Sequence, residues 1–221
     1  MWDERWDKIF SSQEWGKYPG EELIRFIARN YYSTSNRKDI KILEIGSGTG
    51  ANLWFLAREG FSVFGFDGSQ VAIDQANSFL KSEGLFADIQ KGDAMNLPYP
   101  DLEFDAIIDV ECISANSLVD SEKILNEIYR VLKPGGVIYS KTFSTGMSGE
   151  KTATSLKNEP HTYISMPDGP ISQDFGVLRL VDEGEIKNIY HLFKNLQYDL
   201  ITRTDKNRSD KLSEWVIQGI K

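Results

Sequence analysis

The stretch Ile40-Lys41-Ile42-Leu43-Glu44-Ile45-Gly46-Ser47-Gly48-Thr49-Gly50 decides the fold. Its apolar run reads as a buried strand, and an acid and three closely spaced glycines end it. Residues 51–59 then read as a helix, with Gly60 placed to stop it. Strand, glycine turn and helix in that order open a nucleotide-binding βαβ unit. Glycines without Cβ atoms let the turn fold tightly and let a ligand lie on bare backbone. The next apolar run, residues 62–66, ends at Asp67. An acid at the tip of a second strand can accept hydrogen bonds from both hydroxyls of a ribose, so the expected ligand is an adenosine derivative. Gly46, Ser47, Gly48, Gly50, Asn52, Asp67 and Gly68 are the binding residues this reading selects.

The spacing Gly46-x-Gly48-x-x-Ala51 also satisfies the looser dinucleotide fingerprint, so the glycines alone leave a nicotinamide cofactor open. Glu44, two residues before the first glycine, and two later signatures break the tie. These are Gly92-Asp93-Ala94 with Leu97-Pro98 and Phe104-Asp105, and then Leu132-Lys133-Pro134-Gly135-Gly136. The set, over residues 40–143, resembles the class I S-adenosylmethionine-dependent methyltransferases of small-molecule type. The resemblance implies a single Rossmann-like α/β domain, its seven-stranded, mostly parallel sheet ending in an antiparallel strand, with helices on both faces. It implies S-adenosylmethionine as cofactor and S-adenosylhomocysteine as product. It places Glu44 near the methionine end, Asp93 on the adenine amino group, the Ala94 amide on a ring nitrogen and Met95 on the ring face. Asp109 and Glu111 fall where the methyl group is presented, and Trp15 and Tyr18 suit an N-terminal flap.

Composition narrows the partners. The chain has 221 residues, which suits one domain with a large core. It has no apolar run of membrane-spanning length and no charged-then-apolar leader, so the expectation is a cytoplasmic protein without a membrane partner. The single cysteine, Cys112, fits a reducing compartment. With 25 Lys and Arg against 33 Asp and Glu, the formal net charge is -8, which repels nucleic acid. The one basic patch, Lys206-Asn207-Arg208, is bracketed by Asp205 and Asp210. A small-molecule substrate is the better default. Monomer and homodimer stay equally open.

Along the chain, residues 1–38 form an N-terminal helical cap carrying Trp2, Trp6, Phe10, Trp15 and Tyr18. Residues 39–143 are the cofactor-binding core. Within it we expect a helix over 69–81, strands over 86–91, 104–110 and 137–143, and a helix capped by Asp120 with Ile124, Leu125, Ile128 and Leu132 inward. Residues 144–176 lack periodicity and follow a central strand, so a substrate lid is expected there. Residues 177–221 close the domain with a helix over 183–194 and a hairpin of strands 198–204 and 213–220.

For chemistry, a methyl donor already activated as a sulfonium asks mainly for positioning, and for a base where the acceptor is a hydroxyl. His161, in the lid segment Glu159-Pro160-His161-Thr162-Tyr163, and Glu111 are the candidate catalytic residues. His191 reads as structural and Cys112 as a small buried hydrophobe. No zinc-ligand set or Ca²⁺-loop spacing occurs, so no metal is expected. The first reading is O-methylation of a hydroxylated metabolite or sugar, with N-methylation next. A nicotinamide oxidoreductase and a non-catalytic interaction module are the readings from other classes.

Overall fold

The computed structural model describes residues 3–171 and 176–221, so Trp2 and residues 172–175 of the expected lid lie outside the described residues. In chain order come α1 (Arg5–Ser12), α2 (Glu21–Tyr31), β1 (Lys41–Ile45), α3 (Ala51–Arg58), β2 (Ser62–Asp67), α4 (Gln70–Ser82), β3 (Asp88–Lys91) and β4 (Phe104–Val110). They are followed by α5 (Leu118–Val131), β5 (Leu132–Phe143), β6 (Thr154–Ser155), β7 (Thr162–Ser165), β8 (Leu178–Arg179), α6 (Glu183–Ile189), β9 (Lys194–Asp205) and β10 (Asp210–Ile220).

Among the described residues the main sheet has seven strands in the order β3-β2-β1-β4-β5-β10-β9. The first five run parallel, and β10 pairs antiparallel with both β5 and β9. The chain reverses direction through the sheet between β1 and β4, whose register pairs Leu43 with Ile107 and Ile45 with Asp109. Crevices at such a switch point, outside the carboxyl ends of the strands, are where open α/β sheets bind ligands.

Strand alternation builds two core layers. Leu43, Ile45, Ile107, Ile138 and Ile217 point to one face and pack with Ile124, Leu125 and Ile128 of α5 and Ile186 of α6. Ile42, Ala106, Ile108, Tyr139 and Val216 point to the other, against Leu23, Phe26 and Ile27 of α2 and Leu53 and Leu56 of α3. Both faces of β1 and β4 are buried, which is why their sequences are apolar runs without polar alternation.

Several boundaries differ from expectation for local reasons. Ser117, not Asp120, caps α5: its side chain accepts from the Asp120 amide at 3.2 Å. The Leu132–Gly136 segment joins β5, because the Gly135 amide donates to Lys221 O and the Lys221 amide to Gly136 O. α6 stops at Ile189, five residues short, where a turn at Tyr190–Phe193 leads into β9. The aperiodic stretch after Phe143 is not featureless. β6, β7 and β8 make a small antiparallel sheet, and Phe143, Met147, Tyr163, Met166, Leu178, Leu180 and Leu212 form a third apolar cluster beneath it. No described helix is long and apolar enough to cross a membrane.

Ile107 is wholly buried at the middle of β4, where it pairs with Leu43 of β1 and Ile138 of β5. Ile107→Ala should lower the unfolding free energy in urea by about 2–5 kcal/mol, the cost of a core methylene deletion plus its cavity.

Candidate active site

The carboxyl ends of β1, β2, β4 and β5 open into a cavity of about 460 Å³, a size usual for small-molecule sites. Its floor is the glycine turn. Gly46 has φ +62°, and a Cβ there would stand 2.5 Å from Cys112 Cβ, so the loop after β4 can close onto the turn only over a glycine. Asp67 holds the turn in place. Its Oδ2 accepts from the Gly48 amide and its Oδ1 from the Ser69 amide, each at 2.8 Å. Burial raises the Asp67 carboxyl above its ordinary range, and these backbone donors oppose the rise.

Glu44 lies buried at the end of β1. Its Oε1 accepts from Asn52 Nδ2, whereas Oε2 has no hydrogen-bond partner among the described residues. Burial pushes this carboxyl up to about 8; Asn52 pulls it down, and the neighbouring Asp67 and Asp109 add to the rise. A buried acceptor without a donor is unstable unless a ligand supplies one. Gly46, Ser47, Gly48, Gly50, Asn52, Gly68, Asp93 and Ala94 line the same cavity. Asp93 Oδ1 accepts from the Met95 amide at 3.0 Å. Met95 itself is outside the lining and packs on the core cluster around α5.

The roof comes from the N-terminus and the lid. Trp6, Phe10, Trp15 and Gly16 face the cavity from one side, Ile171 and Leu178 from another. Phe10 lies with its ring centroid 5.7 Å from Trp6 and 5.1 Å from Trp15. Gln75 Nε2 donates to Phe10 O at 3.0 Å, and Ser69 Oγ bonds Asp7, so α1 is tied to α4. Tyr18 is elsewhere. It is 74% exposed and sits edge-on to Trp54, which removes it from the flap that the sequence suggested.

The far end of the cavity, beyond β4, pairs apolar walls with charge. Glu111 follows β4 with φ +66°, a left-handed conformation costly for a glutamate and typical of functional positions. Its amide donates to Lys141 O at 2.8 Å, which pins it beside β5. Lys141 Nζ lies 2.7 Å from Glu214 Oε1 and 3.7 Å from Glu111 Oε1. Phe143, Ile171, Leu178 and Leu212 complete this end. Burial, followed by the adjacent Glu214, drives the Glu111 carboxyl upward, with Lys141 opposing.

Besides Met95 and Tyr18, two more expected residues, Asp109 and His161, are not brought to the cavity. Asp109 lies behind its wall: Oδ1 accepts from the Ile113 amide at 3.0 Å, and Oδ2 accepts from Ser140 Oγ, which meets Tyr190 Oη at 2.7 Å. Burial pushes Asp109 up to about 6. It anchors the turn that carries Glu111 and is outside the lining. His161 is also outside it. Its Nδ1 lies 3.2 Å from Glu185 Oε2, an oxygen that also takes Arg179 Nη2 at 3.2 Å, so His161 belongs to the junction of lid and α6. His191 faces Asn188 O on the surface. Lys141 and Glu214 were missed, although each is a charge interrupting an otherwise core-forming strand, the signal that marks a buried charge with a purpose. Among the described residues no group of three or more His, Cys, Asp or Glu is arranged to hold a metal ion.

The buried carboxyls set a pH dependence. Unfolded carboxyls titrate near 4. Glu44 and Asp109 titrate at about 8 and about 6 when folded, so their contribution is full below about pH 4 and is lost as pH rises through those values. Asp120 and Glu127, lowered by Lys123 and Arg130, act in the opposite sense, but that gain is complete by about pH 5. The unfolding free energy of the ligand-free protein should therefore fall from about pH 5 to pH 8, and Glu44→Gln should flatten the upper part of the slope. Urea unfolding at stepped pH measures both; a flat wild-type profile would remove the buried-acid assignment.

The geometry agrees with what the chain is similar to. The methyltransferase domain family model matches residues 42–136. A sterol 24-C-methyltransferase of Neurospora crassa is 35% identical over 126 residues, 53% of this chain and 32% of the relative. Norajmaline N-methyltransferase of Rauvolfia serpentina is 34% identical, covering 53% of this chain and 40% of the relative. Fatty-acid O-methyltransferase of Mycolicibacterium smegmatis is 35% identical, covering 52% and 43%. The chain thus spans less than half the length of these relatives. A solved S-adenosylmethionine-dependent methyltransferase from Methanosarcina mazei superposes with a TM-score of 0.72 at 19% identity, over 92% of this chain and 98% of that one, and shows the same fold. The methyltransferase domain match over residues 42–136, this fold and the three motifs together support a class I S-adenosylmethionine-dependent methyltransferase, with S-adenosylmethionine the cofactor they imply.

Proposed function

We propose that this protein methylates a small, largely apolar acceptor at a protic oxygen or nitrogen, with Glu111 receiving the acceptor's proton. The observation that carries the reading is the two-part cavity: an acidic glycine cradle continuous with an apolar chamber that holds one cavity-facing acid on strained backbone. The residues of the cradle fit the cofactor. Glu44 Oε2 is an orphaned buried acceptor suited to its amino group. Asp67, at the tip of β2, keeps lone pairs for the ribose hydroxyls beyond those given to the Gly48 and Ser69 amides. Asp93 and the Ala94 amide are assigned to the adenine edge. When bound, the cofactor supplies a methyl group activated on a sulfonium sulfur.

The chain's own residues do the rest. Trp6, Phe10 and Trp15 close over the cradle and exclude water, which strengthens every charge interaction beneath them. The lid, with Ile171 and Leu178, and the β5–β10 wall hold the acceptor's apolar body. Glu111 is the more exposed of the two acids lining that chamber, and its raised affinity for protons suits a base working near neutral pH. O-methylation of a hydroxylated metabolite and N-methylation of an amine are both served by such a base; the apolar walls suit a sugar less well. The relatives' names cover carbon, nitrogen and oxygen acceptors and do not choose between them.

Calorimetric titration with S-adenosylmethionine, S-adenosylhomocysteine and NADH tests the cradle directly. Both adenosyl ligands should bind and NADH should not; binding of NADH alone points to an oxidoreductase, and silence from all three to an interaction module. Asp67→Ala should weaken S-adenosylhomocysteine binding by about 1.5–3 kcal/mol, the range for hydrogen bonds to a charged group. Unchanged affinity would take Asp67 out of the ribose role.

A further inference from the structure

We propose that the acceptor is an amine, and that Glu111, Glu214 and Lys141 form a subsite for the ammonium group of an apolar primary or secondary amine. The inference rests on the methyltransferase reading and deepens it. Its basis is a charge imbalance fixed by geometry. Lys141 Nζ stands between two carboxylates and is ion-paired with both, closely with Glu214 at 2.7 Å and loosely with Glu111 at 3.7 Å. Glu214 is nearly sealed, its side chain 6% exposed, while that of Glu111 is 37% exposed, open toward the cavity it lines. One lysine thus serves two acids, and the more exposed of them, Glu111, is left with the longer contact and with a hydrogen bond shared with Glu214.

With both glutamates ionised the trio carries one surplus negative charge beside apolar walls, and Arg203, the other cation in the lining, is ion-paired with Asp205 at 3.7 Å. Three groups act on Glu111 electrostatically: Lys141 from β5, Glu214 from β10 and Asp109 from β4, the last already saturated by Ser140 and the Ile113 amide. Without ligand, Glu111 relieves the imbalance by holding a proton, which is the direction its titration takes. A bound ammonium relieves it better, because the cation pairs with the carboxylate directly and its donors fill the open oxygens. An alcohol brings no charge, and a carboxylic acid brings the wrong one. Phe143, Ile171, Leu178 and Leu212 beside the trio suit an aliphatic or aromatic body on the amine.

The same arrangement prepares the nucleophile. An ammonium has no lone pair to give. Transfer of its N–H proton to the Glu111 carboxylate leaves the N–H electron pair on nitrogen as a neutral amine and makes Glu111 a neutral acid. Charge within the pair is conserved as nil, so the step adds no net charge to the buried site.

Calorimetry on the protein saturated with S-adenosylhomocysteine, using octylamine, octanol and octanoate at pH 7.5, tests the proposal without catalysis. Octylamine should bind at least about tenfold tighter than either other probe. In buffers of different ionisation enthalpy its binding should release protons, as Glu111 ionises against the ammonium. Glu111→Gln should abolish the release and cost at least about tenfold in octylamine affinity, while S-adenosylhomocysteine still binds. Octanol or octanoate binding as tightly as octylamine, no binding of any probe, or octylamine indifferent to Glu111→Gln would each overturn the amine assignment and leave the methyltransferase reading standing. A loss of S-adenosylmethionine affinity in Glu111→Gln, with octylamine affinity unchanged, would assign the charge to the sulfonium instead. Failure of S-adenosylhomocysteine to bind the wild type would fell both readings.

Discussion

The structure depends on a carboxylate that holds a loop of bare backbone. Asp67 ends β2, takes the amides of Gly48 and Ser69, and so locks the turn after β1 against the start of α4. The Ser47 amide completes the lock on Phe66 O. With that turn fixed, Gly46 can lie under Cys112, and the loop after β4 is drawn close enough to put Glu111 on the same cavity. Displacing the Asp67 carboxylate would free two amides in a buried place, so the cradle and the sheet edge stand or fall together.

The cavity and the wall behind it gather acids that the fold does not neutralise. Glu44 has one oxygen without a partner, Asp109 is held only by neutral donors, and Glu111 shares one lysine with Glu214 and has the longer contact. Each raises its affinity for protons because burial disfavours the charged form. A core optimised for stability would not retain this arrangement. It is intelligible as a site whose missing charge arrives with its ligands, cations by the chemistry of both the cofactor's sulfonium and the proposed acceptor.

The part of this site nearest the glycine turn was legible in the sequence because it is local. Strand, turn and acid fall within residues 40–67, and spacing alone places Glu44, Gly46, Gly48 and Asp67 along one loop and two adjacent strand ends. Seven strands with a reversed end were also legible, through the resemblance carried by residues 40–143. What spacing could not convey is which way a side chain leaves a strand end. Asp109 and Glu111 are two residues apart, yet the left-handed backbone at Glu111 turns its side chain into the cavity while Asp109 is spent inside the wall. His161 failed on the same ground: its place in the lid was foreseen, its pairing with Glu185 across to α6 was not.

The acceptor end is non-local, and it shows why the sheet reverses at its far side. Lys141 sits at the carboxyl end of β5, where a parallel neighbour would present another carboxyl end from the same layer. Because β10 runs the other way, its beginning lies there instead, and the register sets Glu214 opposite Phe143 and Val216 opposite Lys141. Glu214 therefore reaches Lys141 diagonally, on the face that also carries the open end of the cavity. A residue more than 70 positions downstream closes the electrostatics of a strand laid down much earlier in the chain. The antiparallel hairpin is thus more than a terminus for the sheet. By holding Lys141 closely from β10, it leaves Glu111 as the more exposed carboxylate of the trio.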